Sequence, residues 1–197
     1  MQTATVMIHG RYQPFHLGHA DVLTEALNTA DRVCIGITNP DLESWVSHSG
    51  STHRHLPESN PFTFLERLQM ISSAVTEIDP TPGRAMVVPF PLDRPKSWPS
   101  YFPEGTVHLV PVFSEWEAAK VTKLRELGHD VTVMDRRGED KLSASTIRRL
   151  ILDSDESWEK LVPRTVAKLV REFHATRPLQ QRIQASLREV TSPDKKW

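Results

Sequence analysis

The sequence predicts an α/β fold, a doubly wound parallel sheet of five strands flanked by helices. Short segments rich in β-branched and apolar residues alternate with longer segments whose apolar side chains recur at helical spacing, and this alternation is typical of a parallel sheet. The 197 residues are enough to bury a core within one domain. We therefore expect helices on both faces of the sheet.

Three strands and two helices are predicted in the first half of the chain. Residues 3–9, 32–38 and 85–89 are short apolar runs, as expected for buried strands. Residues 18–30 and 61–78 have the period of helices that bury one face. For the second helix, the expected buried residues are Phe64, Leu65, Leu68, Ile71, Ser72 and Val75.

The second half of the chain continues the alternation. Residues 107–112 and 130–134 are the remaining predicted strands. A helix is predicted between them at 115–127, and it ends before Gly128, a residue type favoured at helix C-termini.

Two further helices follow the last strand. The first is capped by Ser143 or Ser145 and runs to about Leu152, because serine favours the N-terminal cap of a helix. The second covers 163–174 and has Pro163 near its first turn, where proline is tolerated. The predicted fold therefore ends in C-terminal helices.

Three stretches lack a hydrophobic period. Residues 39–60 are polar and rich in Ser, His and Pro, and such a long loop is either a functional lid or a solvated insertion. Residues 90–105 form a second, proline-rich loop. After the second stretch the pattern resumes until about residue 175, so we expect a domain at 1–175 and a polar C-terminal tail at 176–197 with no apolar face.

The composition excludes several classes of protein. The formal net charge is −1, which gives no bulk attraction to nucleic acid or membrane. The single cysteine, Cys34, lies in an apolar run without metal-ligand spacing, so we interpret it as a buried strand residue. No signal peptide and no apolar run near 18 residues is visible, which favours a cytoplasmic protein.

The segment Gly10–His19 joins the first predicted strand to the first predicted helix. Strand-to-helix junctions of this kind bind phosphate, because the free N–H groups and the positive end of the helix dipole attract anions. His16 and His19 are three positions apart, on one side of the first helical turn. One histidine could merely cap the helix while the other is solvated, but Arg11 and two glycines in the segment favour a phosphate site.

The segment Ser143–Arg149 follows the last predicted strand. Its Ser and Thr hydroxyls and free backbone N–H groups suit a phosphate, and Arg148 and Lys141 add positive charge. Alone it is an ordinary capped helix. Because both this segment and Gly10–His19 follow strands of a parallel sheet, we expect them to meet at its carboxyl edge.

The two segments resemble the HxGH and ISSTxxR motifs of the HxGH nucleotidyltransferase superfamily. More closely, the chain resembles the archaeal-type nicotinamide mononucleotide adenylyltransferases from about residue 6 to 172. Those enzymes carry GRxQPFHxGH, NPFTxxER, SGTxxRR and WxxLxP. The matching segments are Gly10–His19, 60–67, Ser143–Arg149 and 158–163. The resemblance implies a Rossmann-like nucleotidyltransferase fold.

The resemblance also implies a reaction. A nucleoside triphosphate gives its nucleotidyl group to a phosphate-bearing acceptor, pyrophosphate leaves, and catalysis consists of positioning and charge stabilisation. By this match His16, His19 and Arg148 are catalytic. Mg²⁺ bridges phosphate oxygens without an all-protein metal site. The implied nucleotide and phosphate contacts are Gly10, Arg11, Gln13, Phe15, Gly18, Lys141, Ser143 and Ser145.

The chain departs from these relatives near the expected acceptor site. His9 stands where an apolar residue is usual, and it is either a buried strand residue or a group at the acceptor phosphate. Residues 113–117 resemble the corresponding segment of glycerol-phosphate cytidylyltransferases more than that of the adenylyltransferases. Trp98 either stacks on a flat ring or anchors its proline-rich loop. The candidate acceptor contacts are His9, His48, Arg54, Trp98 and Trp116.

Three functions remain compatible with the sequence. The first is ATP plus nicotinamide mononucleotide giving NAD and pyrophosphate. The second is a cytidylyltransferase that uses CTP to activate a small phosphate or phosphonate. The third is a nucleotide sensor without transfer, which the intact histidine pair disfavours. The resemblance also implies a homo-oligomer.

Overall fold

A computed structural model of the chain describes residues 4–41 and 56–191. The described strands are β1 (Thr5–Gly10), β2 (Arg32–Ile37), β3 (Ala85–Pro89), β4 (Val107–Val112) and β5 (Val131–Asp135). The described α-helices are α1 (Leu17–Thr29), α2 (Phe64–Ile78), α3 (Glu115–Glu126), α4 (Ala144–Leu152), α5 (Arg164–Thr176) and α6 (Leu179–Thr191). Short 3-10 turns lie at Pro57–Ser59, Pro95–Ser100 and Glu156–Leu161. None of the helices within these described ranges is long and apolar enough to cross a lipid bilayer.

The five strands form one sheet in the order β3-β2-β1-β4-β5, and every neighbouring pair is parallel. The predicted doubly wound fold is therefore confirmed. The chain first extends the sheet outward from β1 through β2 to β3, and it then returns to add β4 on the other side of β1. Ligands of such sheets bind where the order reverses, at the carboxyl ends of the strands. In this fold that point lies between β1 and β4.

Two cores lie on opposite faces of the sheet. Successive side chains of a strand point to opposite faces, and Met7 and Ile8 of β1 accordingly belong to different cores. The larger core contains residues of α1, α2, α4 and α5, with Leu23 and Ile147 fully buried. The smaller core is closed by α3 and by Trp98 of the second 3-10 turn.

The buried face of helix α2 agrees with the prediction only in part: Ile71 is buried and Phe64, Leu68 and Val75 pack against the larger core, whereas Ser72, expected to be buried, is exposed. Leu65, expected to be buried, is 60% exposed. The buried residues of this helix are Arg67, Met70, Ile71 and Ala74. They follow the i, i+3, i+4, i+7 spacing of a buried helix face, but a charged residue occupies the first position. The prediction counted apolar side chains, so it did not include the buried Arg67.

The C-terminal segment packs on the domain rather than trailing from it. Leu179 at the start of α6 is 2% exposed and joins the larger core, with Ile183 one turn later packed against it. Arg182 donates hydrogen bonds to the carbonyl oxygens of Arg177 and Phe173 and forms an ion pair with Glu66 of α2. The expectation that this segment has no apolar face was therefore wrong.

Candidate active site

The two predicted phosphate segments meet at the carboxyl edge of the sheet. The guanidinium of Arg148 on α4 donates a hydrogen bond to the main-chain oxygen of Gln13, at 2.7 Å. A Cβ atom placed on Gly18 would lie 3.6 Å from the Cβ of Leu142. The start of α1 therefore packs directly against the start of α4, as the sequence predicted.

His16 and His19 form a stacked pair at the N-terminus of α1. Their ring centroids lie 3.6 Å apart with an angle of 21° between the planes. The backbone N–H of His16 donates to Nδ1 of His19 at 3.3 Å. Because Nδ1 accepts this bond, the proton of neutral His19 lies on Nε2, where it can be donated to a ligand.

Both histidines are held neutral at physiological pH. Burial, with a smaller contribution from the Lys141 charge, lowers the pKa of His16 to about 4. The pKa of His19 lies well below its ordinary value because of burial and, secondarily, because of electrostatic interactions with His16, Lys141 and Arg11. Within the described part of the chain, the buried Nδ1 of His16 has no hydrogen-bond partner. The pair therefore offers polar atoms that a bound anion could satisfy.

Gly18 makes the stacked arrangement possible. A Cβ atom at this position would lie only 3.3 Å from Cε1 and Nδ1 of the His16 ring. Any larger residue would displace the ring of His16 or the N-terminal turn of the helix. The glycine between the two histidines is therefore explained by close packing and not by backbone strain.

Arg148 contributes a buried positive charge near the histidine pair. Its side chain is 7% exposed. Burial lowers its pKa to about 10, while the charge of Glu58 acts in the opposite direction. The guanidinium therefore remains protonated at neutral pH. Its position on α4 suits the oxygens of a triphosphate bound at the edge of the sheet.

Ser143 and Ser145 lie at the start of the same helix. Ser143 is the N-terminal cap of α4, and its Oγ accepts a hydrogen bond from the backbone N–H of Ser145 at 3.2 Å. The two hydroxyl groups also contact each other. Together they place two hydroxyls at the positive end of the helix dipole, a favourable place for an anion.

The side chains of Gln13 and Phe15 hold the conformation of the segment Gly10–His19 and do not point to a ligand position. The Gln13 amide donates from Nε2 to the carbonyl oxygen of Phe62, and its Oε1 accepts from the N–H of Phe62, both at 2.9 Å. Phe15 is fully buried in the larger core. A Cβ atom on Gly10 would lie 3.1 Å from the ring of Tyr12. These residues therefore contribute to the internal packing of this loop.

Arg67 is a site-shaping residue that sequence reasoning assigned no role. Its guanidinium donates hydrogen bonds to the main-chain oxygens of Arg11, Thr38 and Asn39, at 3.1, 2.7 and 2.7 Å. These oxygens belong to the segments that follow β1 and β2. Arg67 thus ties together the two loops beside the histidine pair, while the Arg11 side chain donates to the oxygen of Ser59 at 3.4 Å.

An ion pair between Glu117 and Lys141 joins α3 to the segment that precedes α4. Glu117 belongs to the first turn of α3 and is 6% exposed, while Lys141 precedes α4. Their side chains form a hydrogen-bonded ion pair. The sequence identified Lys141 but not its partner, since the two residues lie on separate elements.

The candidate acceptor residues have varied positions. Trp98 is 2% exposed, and its Nε1 donates to the oxygen of Pro91 at 2.8 Å, so it anchors the proline-rich loop. Both ring nitrogens of His9 are buried, and its ring packs 4.8 Å from that of Phe90. Trp116 is half-buried in the first turn of α3. His48 and Arg54 lie outside the described residues.

Comparisons with known proteins show the family of this chain. The profile of a family described as cytidylyltransferase-like matches residues 7–151. A phosphonoformate cytidylyltransferase from Streptomyces viridochromogenes is 39% identical over 168 residues, which are 85% of this chain and 91% of that protein. A nicotinamide-nucleotide adenylyltransferase from Thermococcus kodakarensis is 32% identical over 191 residues, 93% of each chain.

A solved structure shares the fold. It is a bifunctional NMN adenylyltransferase/ADP ribose pyrophosphatase from Francisella tularensis, with a TM-score of 0.64 and 17% sequence identity. The similarity covers 99% of this chain but only 58% of that one. At this identity the likeness shows the fold, and the sequence relatives carry the functional argument.

Proposed function

Because this chain belongs to the cytidylyltransferase-like family and is a nucleotidyltransferase, we propose that it transfers CMP from CTP to a small phosphonate, with release of pyrophosphate. The nucleotide binds across the histidine pair and the start of α4. The acceptor approaches from the segments that follow β3 and β4.

The burial of Trp98 carries this choice of acceptor. An acceptor with a flat ring could stack on an exposed aromatic face, and Trp98 of the proline-rich loop was the candidate for such a contact. The indole of Trp98 is instead enclosed in the smaller core, 4.6 Å from the ring of Phe90 and bonded to Pro91. A small anionic acceptor does not need such a contact. The 39% identity to a cytidylyltransferase that is named for a phosphonate supports the same choice.

The site residues suit an in-line transfer without a covalent intermediate. An oxygen of the acceptor forms a bond to the α-phosphorus of the nucleotide, and the bond from that phosphorus to the bridging oxygen of the β-phosphate breaks. The N–H groups of His16 and His19 donate to the triphosphate, and Arg148 and Lys141 neutralise the charge that develops on the leaving pyrophosphate. The bound anion raises the pKa of the histidines and favours their protonated forms.

We further propose that Mg²⁺ enters with the nucleotide. The side chains gathered at the site are mainly imidazoles, serine hydroxyls and cations, which fit phosphate oxygens better than a hard metal ion, and the Glu117 carboxylate is engaged by Ser114 and Lys141. In residues 4–41 and 56–191 no group of three or more His, Cys, Asp or Glu could hold a metal. The ion, when bound, screens phosphate charge, and the chain's own residues orient the phosphates around it.

A second candidate is the transfer of AMP from ATP to nicotinamide mononucleotide. The observation that favours it is coverage, since the Thermococcus kodakarensis adenylyltransferase aligns with 93% of this chain. Residues 60–67 also match a segment of that type of enzyme, and in this structure they contact Gln13 and carry Arg67.

A substrate screen separates the two candidates. Pyrophosphate release is measured for CTP, ATP, GTP and UTP, each with phosphonoformate, with nicotinamide mononucleotide, and with no acceptor. We expect release from CTP with phosphonoformate and none without an acceptor. Release from ATP with nicotinamide mononucleotide alone would replace the first candidate by the second, and release from no combination would contradict both.

A further inference from the structure

Glu117 is a buried carboxylate in the first turn of α3. Its Oε2 accepts hydrogen bonds from the backbone N–H and the Oγ of Ser114, at 3.0 and 2.6 Å, which completes a capping box. Its Oε1 accepts from the Lys141 ammonium. Both carboxylate oxygens are therefore engaged, one with its own helix and one with a different element.

The capping function alone does not require a charge. Gln serves at the third position of a capping box as well as Glu, and burial disfavours a carboxylate. Burial raises the pKa of Glu117, but hydrogen bonds from Lys141 and Ser114 outweigh it and hold the pKa below its usual value. The contact that specifically rewards the negative charge is the one with Lys141.

Lys141 lies close to the histidine pair by its place in the fold. It precedes Leu142, which packs against Gly18 between the two histidines. Its charge contributes to lowering the pKa of both histidines. Its ammonium lies 5.2 Å from the centre of the Phe113 ring. Its side chain is 47% exposed, so a flexible lysine here could also extend into solvent.

We propose that Glu117 is a positioning residue for nucleotidyl transfer, which holds the Lys141 ammonium beside the histidine pair. An ammonium has three N–H donors, and the contact with Glu117 uses one of them. The others can be donated to the triphosphate. Without the carboxylate, Lys141 regains the conformational freedom of its long side chain and must be ordered in each catalytic cycle. The inference rests on the proposed transfer reaction.

The loss should fall on turnover more than on nucleotide binding. The Glu117 carboxylate itself repels a triphosphate, so its removal helps ground-state binding while it loosens Lys141. For Glu117→Gln, which keeps the cap, we expect kcat to fall about tenfold, the scale of one charged hydrogen bond. The KM for the nucleotide should stay unchanged or fall.

The closing experiment is a double-mutant cycle with a matched control. Wild type, Glu117→Gln, Lys141→Gln and the double variant are assayed with CTP and phosphonoformate, and with ATP and nicotinamide mononucleotide as the second pair. Glu115→Gln makes the same chemical change at an exposed position in the same helical turn, and it should match wild type. We expect Glu117→Gln to have no further effect once Lys141 is replaced.

Two results would overturn the positioning role while leaving the proposed reaction intact. One is an equal loss of kcat from Glu117→Gln in the presence and absence of Lys141. The other is that wild type is active and that Glu117→Gln has the same kcat as the control variant Glu115→Gln. If wild type turns over neither pair of substrates, the proposed function itself fails, and the inference fails with it.

Discussion

Arg148 and the main-chain oxygen of Gln13 are 135 positions apart in sequence and joined by a 2.7 Å hydrogen bond. This bond fixes the start of α4 against the loop that precedes α1. The histidine pair and the buried guanidinium are thereby brought together at one edge of the sheet, where we propose that they bind the nucleotide phosphates. Nucleotide binding should depend on this contact directly.

Replacing Arg148 by Ala should weaken nucleotide binding by about 1.5–3 kcal/mol, as for a lost charged hydrogen bond. Isothermal titration of CTP and of ATP measures the change. Arg149 is the next residue and is exposed, so Arg149→Ala is the matched control and should bind as wild type does. An unchanged affinity in Arg148→Ala would contradict the assigned role.

Replacing His19 by Ala should lower kcat by about 100-fold or more, because a preorganised donor to the transition state is lost. Steady-state pyrophosphate release measures the effect, and thermal unfolding verifies that the variant is folded. A turnover within threefold of wild type would show that the histidine has no catalytic role.

Stability should fall in mild acid because of buried histidines. Burial lowers the pKa of His108 to about 3, with smaller contributions from the charges of His129 and Lys120, and the pKa of His9 also lies well below its ordinary value. The unfolded chain takes up protons near pH 6.5, whereas the folded chain does not until much lower pH. The stabilisation is thus complete above 6.5 and is lost as the pH falls toward 3.

Urea unfolding at pH 7 and pH 4.5 measures this loss. Replacing the fully buried His108 by Leu should reduce the difference between the two free energies of unfolding by about 2–3 kcal/mol. The control is His174→Leu, which replaces a half-buried histidine on α5. An equal pH difference in wild type and His108→Leu would refute the explanation.

The docking of α6 can be tested by a pair of neighbouring substitutions. Leu179→Ala should cost about 2–4 kcal/mol of unfolding free energy, because the side chain lies in the larger core. Gln180→Ala changes an exposed neighbour and should be nearly neutral. Equal stability of the two variants in urea unfolding would show that the segment does not pack as described.

Much of the fold could be predicted from local patterns. The bounds of β3 and β4 agree with the prediction to the residue, and those of α1 differ by one. These elements are short apolar runs or have a clear helical period, so their burial can be predicted from residues that are close together in the sequence. The meeting of His16, His19 and Arg148 also followed, because parallel strands place their carboxyl ends at one edge.

The contacts that were missed all join distant parts of the chain. Arg67 is buried because carbonyl oxygens from two other loops converge on it, and a helical pattern alone places such a residue in solvent. Glu117 of α3 and Lys141, which precedes α4, are separated in the sequence by β5, so no local pattern indicates that they form an ion pair. Leu179 and Ile183 are too few to produce a visible period, yet they complete a core built by other helices.

The most direct test of the proposed reaction is ³¹P NMR of the protein with CTP, phosphonoformate and MgCl₂. The expected result is loss of CTP, appearance of pyrophosphate in equal amount, and a new pair of coupled phosphorus resonances from CMP joined to the phosphonate. Unchanged CTP, together with formation of NAD in a parallel sample of ATP and nicotinamide mononucleotide, would contradict the assigned acceptor.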